Sequence, residues 1–503
     1  MSLAIVQSRA MAGVDAPLVT VEVYIGKGLP GLSIVGLPEA AVKESKDRVR
    51  SAILNSGFTF PVGRITVNLA PADLPKEGGR FDLPIALGLL AASEQIPVSA
   101  MADMECLGEL ALSGRLRPVR GALPAVLHSR DAGRFLMLPQ QNSDEAALVS
   151  DARVLPVNSL AQCCQLITGQ TRVTPVSVQR RSPAAAADLP DMADIRGQFQ
   201  AKRALLVAAA GSHSLLFVGP PGTGKTMLAS RLPGILPPMS EREALESAAI
   251  ASISDQGFDA GKWCRRPFRN PHHTASAVAL VGGGSNPRPG EISLAHNGVL
   301  FLDELPEFSR QVLEVLREPL ESGSVSISRA ARQAKFQARF QLVAAMNPCP
   351  CGYLGHVNGR CNCTADQVQR YQGKLSGPLL DRIDLHVIVP PLSYQEMTAT
   401  LTLPSVASAT LREQVIDART RQLERAGILN AHLQAQQLQR DCCLDEQQNQ
   451  LLAQAVNSLG LSARAIHRIL RIARTIADLD GSRNIGHNHL GEAIGYRQLD
   501  RSA

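Results

Sequence analysis

Aromatic side chains are scarce in this chain: 4% of 503 residues, with one tryptophan and five tyrosines. That scarcity argues against a nucleic-acid surface built from exposed stacking platforms. No apolar run approaches the roughly 20 residues that a membrane-spanning helix needs, and the N-terminus lacks a basic-then-apolar leader pattern. The expectation is a cytoplasmic protein with no membrane partner. A strong excess of one charge is also missing. Lys and Arg number 51 against 45 Asp and Glu, and a net charge of +6 permits an anionic partner without demonstrating one. The ten cysteines include the adjacent pairs Cys163-Cys164 and Cys442-Cys443, which suit reduced thiols better than a disulfide framework. What the chain does have is apolar content, 45% of its residues, enough for two or three domains with real cores.

One stretch dominates the reading. Ser214-Leu-Leu-Phe-Val218 has the composition of a buried strand, and a helical pattern begins near Met227. Between them lies Gly219-Pro220-Pro221-Gly222-Thr223-Gly224-Lys225-Thr226, a G-x-x-x-x-G-K-T phosphate loop in strand–loop–helix context. Glycines let such a loop curl its N–H groups toward phosphate oxygens, and the following helix adds its positive dipole end. Lys225 is placed to reach the β- and γ-phosphates, and Thr226 to hold Mg²⁺. A second buried run, Val299-Leu-Phe-Leu302, ends in Asp303-Glu304. Asp303 would serve the Mg²⁺ through water, and Glu304 would polarise an attacking water. The two motifs together predict a chain that binds and hydrolyses a nucleoside triphosphate.

Around this core the sequence falls into four parts. Residues 1–171 alternate short strands (20–24, 33–35, 64–69) with helices (40–56, 82–92), an α+β pattern. Residues 172–190 carry Thr-Pro, Ser-Pro and an alanine run, and read as a linker. Residues 191–391 form the α/β ATPase core, and 392–503 are helical and polar, with segments at 394–401, 411–426, 445–459, 462–478 and 489–497. Ile195-Arg-Gly-Gln198 suits a segment that packs on the adenine. The long insertion before Asp303 holds Arg266-Pro-Phe-Arg-Asn-Pro-His-His-Thr274, where His272 and His273 lack a third metal ligand at helical spacing and suit structural or nucleotide-linked hydrogen bonding. Segments 324–328 and 340–345 read as strands, and 309–320 as a helix. Arg329, Arg332, Lys335 and Arg339 would then cluster at a hairpin tip, a phosphate-backbone contact or simply a solvated turn. Asn347 follows a strand and could orient the attacking water or the γ-phosphate. Arg115, Arg117 and Arg120 make a local basic cluster, either a phosphate contact or a solvated loop.

Four cysteines, Cys349, Cys351, Cys361 and Cys363, lie within fifteen residues of one another. Their number suits a tetrahedral structural Zn²⁺ site, although the C-x-C spacing is tighter than usual; reduced structural thiols or a redox-sensitive loop are the alternatives.

Several segments also carry family resemblances. Leu69-Ala-Pro-Ala-Asp-Leu-Pro-Lys-Glu-Gly-Gly-Arg80, Gly108-Glu-Leu110 and 114–121 resemble the proteolytic domain of Lon. The family's nucleophilic serine aligns with Arg80 and its lysine with Leu123, so the resemblance implies a Lon-protease-like scaffold without a peptidase dyad. Gly219–Thr226, Asp303-Glu304, Asn347 and Leu379-Leu-Asp-Arg-Ile-Asp384 resemble an AAA+ ATPase near the magnesium-chelatase and MCM branch. Gly36-Leu-Pro-Glu-Ala, Asn270-Pro-His-His-Thr274, Ser328-Arg-Ala330 and Asn347-Pro-Cys-Pro-Cys-Gly352 extend the resemblance to the ComM/YifB family over essentially the whole chain. It implies a homo-hexameric, ATP- and Mg²⁺-dependent DNA motor of the helicase or branch-migration type, acting on single-stranded or branched DNA in recombination during natural transformation. A magnesium-chelatase-like or protein-remodelling ATPase is the alternative on the same core. The resemblance further implies that 392–503 is a helical lid, that Arg382 acts as an arginine finger on a neighbouring subunit, and that Arg464, with Arg468 next in line, contacts nucleotide from the lid. Without the family, Arg382 could equally pair with Asp381 or Asp384.

Overall fold

The computed structural model describes residues 2–177, 189–284, 287–329, 332–355, 359–392 and 406–497. The chain divides into two compact units, Met1–Ala184 with Glu241–Trp263, and Ala185–Ser240 with Cys264–Ala503. The expected core at 191–391 therefore gives up one segment: Glu241–Trp263, read as part of the insertion before Asp303, folds with the N-terminal unit. Its helix Glu241–Ile253 is fastened there by Ser252, whose hydroxyl donates to Glu145 (2.6 Å) and whose carbonyl accepts from the Gly121 N–H (3.0 Å).

The first unit is built on a seven-stranded mixed sheet. Its order is Gly31–Val35, Arg64–Ala70, Leu18–Gly26, Ser2–Arg9, Met104–Cys106, Phe135–Pro139 and Arg153–Val157. Alternation along Arg64–Ala70 buries Ile65, Val67 and Leu69, as a sheet with one covered face requires. The covering helix Asp82–Ala92 is buried along its whole length, which explains its almost unbroken apolar sequence. The helix expected at 40–56 is two, Ala40–Lys43 and Ser45–Asn55, and the Ser45 hydroxyl donates to the Val42 carbonyl at the break (2.7 Å). The expected linker lies largely outside the described residues; where it begins, Val176 N–H donates to the carbonyl of Val154.

The second unit has a five-stranded parallel sheet in the order Phe268–Arg269, Val299–Leu302, Gln341–Met346, Leu215–Val218, Leu385–Ile388. The central strands are uniformly buried, matching their continuous apolar runs. Because Gln341–Met346 inserts between Leu215–Val218 and Val299–Leu302, the strand ends that carry Gly219, Asp303 and Asn347 lie side by side on the carboxyl edge. That edge is where open parallel sheets place their ligands. The helix expected at 309–320 is again two, Arg310–Val315 and Arg317–Ser322. Pro319 has no N–H to offer the Val315 carbonyl, so the ladder is interrupted there.

Helices Ser408–Ala426, Glu446–Leu459, Ala463–Leu479 and His487–Gly495 follow the expected pattern, and a short helix, Ala435–Asp441, was not expected. The helix expected at 394–401 falls outside the described residues. Ile469, Ala473 and Ile476 on Ala463–Leu479 are fully buried in the same core as the phosphate-loop strand. Among the described residues no helix is long and apolar enough to cross a membrane, and all ten cysteines are free thiols.

Candidate functional site

The phosphate loop leaves strand Leu215–Val218 and enters helix Lys225–Ile235. Gly222 (φ 79°) and Gly224 (φ 86°) hold the left-handed backbone that turns the loop inward, a conformation other residues adopt at a cost. Thr223 Oγ1 donates to the Pro220 carbonyl (3.0 Å) and closes the turn. Lys225 Nζ donates to the carbonyls of Gly219 (2.6 Å) and Pro220 (2.8 Å) and to Asn347 Oδ1 (3.2 Å). Burial lowers the Lys225 pKa, against the pull of Asp303 and Glu304 in the other direction. Gln198, at φ 52°, donates to the carbonyls of Thr223 (3.4 Å) and Pro390 (2.8 Å), tying the segment before the core to this loop.

The second strand end meets the first directly. Thr226 Oγ1 donates to Asp303 Oδ2 (2.7 Å), and the other Asp303 oxygen accepts from the Glu304 N–H (3.0 Å). Glu304 sits at φ 52°, a left-handed conformation that turns it out of the strand. Its carboxylate lies 3.1 Å from His273 Nδ1, and His273 stacks against His272 at 4.2 Å between ring centroids. Asn270, Pro271, His272, His273, Asp303 and Glu304 line one pocket. The histidine pair thus stands next to the Glu304 carboxylate, in keeping with the hydrogen-bonding role expected of it.

The arginines find carboxylate partners that lie far from them in sequence. Arg382 pairs with Glu321, and not with Asp381 or Asp384, while its Nη1 donates to the Pro378 carbonyl (2.6 Å). Asp384 instead takes Arg468 (2.5 Å), the Ser214 N–H (3.0 Å) and the Ser214 hydroxyl (3.1 Å), with His213 at 3.5 Å. Burial by itself would raise the Asp384 carboxyl, but His213, Arg468 and the Ser214 N–H hold it far below the usual carboxylate range. Arg468 is therefore a structural tie between helix Ala463–Leu479 and the foot of the phosphate-loop strand. Arg471 donates to the Leu433 carbonyl (3.1 Å), whereas Arg464 is exposed in the first turn of that helix.

The expected cationic hairpin tip is also corrected. Strands Ser324–Arg329 and Arg332–Gln337 pair in register, Arg329 opposite Arg332 and Ser326 opposite Lys335. Only Arg329 and Arg332 form the last register pair of the hairpin. Lys335 is exposed partway along the strand, and Arg339 lies at the hairpin's base, its N–H bonded to His296 Nδ1 (3.1 Å). The buried Phe336, opposite Val325, extends the pairing past the tip that charge alone suggested.

The four cysteines come together. All four Sγ atoms lie within 4.8 Å of one another. Cys349–Cys351 are 3.4 Å apart, and Cys349–Cys361 and Cys351–Cys361 are 3.7 Å apart. Four sulfurs at tetrahedral corners about 2.3 Å from a zinc ion stand about 3.8 Å from each other. The observed spacing fits that polyhedron and is far too long for a disulfide. The Tyr353 backbone leads the influences that pull the Cys351 thiol down to about 6, while the neighbouring sulfurs push Cys361 and Cys363 up.

In the N-terminal unit, the positions that align with a peptidase dyad hold other chemistry. Arg80 is buried, its pKa brought down to about 10 by burial, and it donates to the carbonyls of Arg9 (3.3 Å) and Arg120. Leu123 is buried, and its N–H donates to Glu145 (3.1 Å). Of the local arginines, Arg117 pairs with Glu109 (3.3 Å) and Arg120 with Asp255 (2.9 Å), which favours a solvated, charge-balanced loop over a phosphate contact.

Three family models match the chain: magnesium chelatase, subunit ChlI, over 191–397; subunit ChlI of Mg-chelatase over 21–142; and the C-terminal region of magnesium chelatase subunit ChlI over 405–497. The chain is 53% identical to the competence protein ComM of Haemophilus influenzae, covering 100% of this chain and 98% of that protein. It is 50% identical to YifB of Escherichia coli, covering 100% of this chain and 98% of YifB. A more distant similarity, 25% identity, joins 42% of this chain to 26% of the DNA replication licensing factor Mcm6 of Drosophila melanogaster.

Proposed function

Given that the chain belongs to the ComM/YifB family of magnesium-chelatase-like proteins, we propose that it is an AAA+ ATPase that drives movement along DNA during recombination of incoming strands. The observation that carries the ATPase reading is the meeting of three strand ends in hydrogen-bond contact: Lys225 with Asn347, and Thr226 with Asp303. The loop N–H groups and Lys225 bind phosphate oxygens, and Lys225 exchanges its carbonyl partners for them. The Thr226 hydroxyl and Asp303 carboxylate, 2.7 Å apart, are the hard oxygen donors that suit Mg²⁺. The ion would supply charge neutralisation at the phosphate oxygens. Glu304, turned out of its strand, accepts the proton of the attacking water, and Asn347 orients that water or the γ-phosphate.

Arg382 is assigned to the nucleotide of a neighbouring subunit in a hexamer, with Glu321 as the carboxylate that holds its guanidinium in place. Arg464, free of Asp384, is the nucleotide contact from the helical C-terminal lid. The Lon-protease-like N-terminal unit, without a Ser–Lys dyad, carries no peptidase chemistry. The four-thiol cluster binds one structural Zn²⁺, since four protein sulfurs leave no open position.

DNA is the proposed track because a relative bears a competence name, a more distant one a replication name, and Arg329 and Arg332 are the last paired positions of a hairpin whose second strand carries the exposed Lys335. The test is the steady-state ATPase rate with and without single-stranded and branched DNA at two salt concentrations. Stimulation that fades with salt is expected. Replacing Arg332 and Lys335 together with alanine should weaken DNA binding and reduce its log–log salt slope by about 1 to 2. A rate indifferent to DNA, with no salt-sensitive binding, would favour a chelatase-like or protein-remodelling client instead.

A further inference from the structure

The thiol cluster does not stand apart from the nucleotide loop. Asn347 opens the segment that holds it, and the chain returns to Asn347 once the cluster is closed. Two contacts make the connection. Gly352, next to Cys351, sits buried at φ 87° against Pro221 of the phosphate loop; a methyl group there would stand 2.8 Å from Pro221 Cδ and 3.8 Å from Asn347 Cγ. Immediately after Cys363, Thr364 caps helix Ala365–Gln372 with a reciprocal capping box. That helix carries Gln372, whose amide donates to the Pro348 carbonyl (3.0 Å), and the buried Tyr371, whose hydroxyl hydrogen-bonds to the Asn347 backbone. The cluster thus lies between two arms that both end on the residues flanking the proposed γ-phosphate position.

Beyond the Gln372 and Tyr371 contacts, the described residues of this segment offer the arms little packing of their own. Of the four cysteines only Cys349 is buried, and the described residues of the segment between Pro348 and Gln372 hold one short helix and few buried apolar side chains. Such a segment lacks the core to define its own conformation, so a metal at the sulfurs would supply much of its order. We propose that the metal-loaded cluster is a brace for the nucleotide site, fixing Pro221 and Asn347 so that affinity for Mg²⁺-nucleotide depends on zinc bound at cysteines far from the phosphate loop in sequence. This rests on the zinc reading above and adds a consequence that the zinc reading does not require.

The experiment uses the full chain, purified under reducing conditions. Zinc content is measured by atomic emission, and affinity for a non-hydrolysable ATP analogue by calorimetry in excess Mg²⁺. About one zinc per chain is expected. Stripping it with 1,10-phenanthroline should weaken the analogue about tenfold, the scale of one or two misplaced hydrogen bonds to a charged group, and added Zn²⁺ should restore it. Because the stripped chain could unfold, Gly352→Ala supplies an independent reading: it leaves all four sulfurs, so zinc should be retained, yet it pushes on Pro221 and should weaken the analogue comparably. Zinc that can be removed without changing nucleotide affinity overturns the brace and leaves the zinc site standing. Gly352→Ala with wild-type affinity likewise overturns it. A chain that neither carries nor takes up zinc refutes the site and the brace together.

Discussion

Asp384 offers the sharpest test of how the second unit is held together. Its carboxylate accepts from Arg468, from the Ser214 N–H and from the Ser214 hydroxyl, and the two charged side chains are only 15% and 10% exposed. Asp384→Asn keeps the shape but leaves the Arg468 guanidinium nearly buried without a counter-charge. Breaking a buried pair from one side costs about 3–5 kcal/mol, and the retained amide oxygen puts the expected loss near the lower end, about 3 kcal/mol. Arg468→Ala should cost slightly less, about 2 kcal/mol, because His213 and Ser214 still serve Asp384. The two changes remove the same interaction, so the double variant should lose much less than their sum, with a coupling energy of about 2 kcal/mol. Urea unfolding followed by circular dichroism measures all four corners of the cycle, and an unchanged m-value keeps the comparison valid. A coupling below about 0.5 kcal/mol would mean that the pair is not a tie. So would an Arg468→Ala protein of wild-type stability that has lost nucleotide affinity, which would return Arg468 to the nucleotide and displace Arg464.

Two further outcomes are expected. Glu304→Gln should cut hydrolysis by roughly 10²- to 10⁴-fold, the usual contribution of a positioned general base, while leaving Mg²⁺-nucleotide affinity nearly unchanged; equal hydrolysis would remove Glu304 from the mechanism. His386, deep in strand Leu385–Ile388, is held neutral, its pKa taken from 6.5 down to about 3 by burial and by Arg497. The unfolded chain therefore binds a proton that the folded chain does not between these two values, and stability falls as pH drops from 6.5 towards 3. At pH 5 this group alone should cost about 2 kcal/mol relative to pH 7. His386→Gln should flatten that part of the unfolding-midpoint profile; a profile of unchanged steepness would place the proton elsewhere.

What could be read from sequence divides along a physical line. The phosphate loop, Asp303-Glu304 and Asn347 were legible because each is local: an apolar run long enough for one buried strand, followed by the residues that chemistry needs at its end. Helix Asp82–Ala92 was legible for the same reason, since a helix apolar on every side can only be interior. The hairpin was misjudged because charge drew attention to 329–339 as one tip, when the alternation of Ser324-Val-Ser-Ile-Ser328 has its mirror in the strand bearing the buried Phe336.

The partners of the charged groups were not legible at all. Asp384 stands two residues from Arg382, yet it pairs with Arg468, 84 residues away, while Arg382 pairs with Glu321, 61 residues away. Nothing local prefers one pairing, because an exposed neighbouring pair gains little in water. Burial decides instead: once the foot of strand Leu215–Val218 and helix Ala463–Leu479 close over Asp384, its carboxylate must be matched by donors that arrive from those elements. The same logic joins His273 to Glu304, and Gly352 to Pro221. Residues that finish a site are therefore chosen by which surfaces the fold brings into contact, and a sequence reading limited to neighbouring residues names the chemical groups of the site before it can name what aims them.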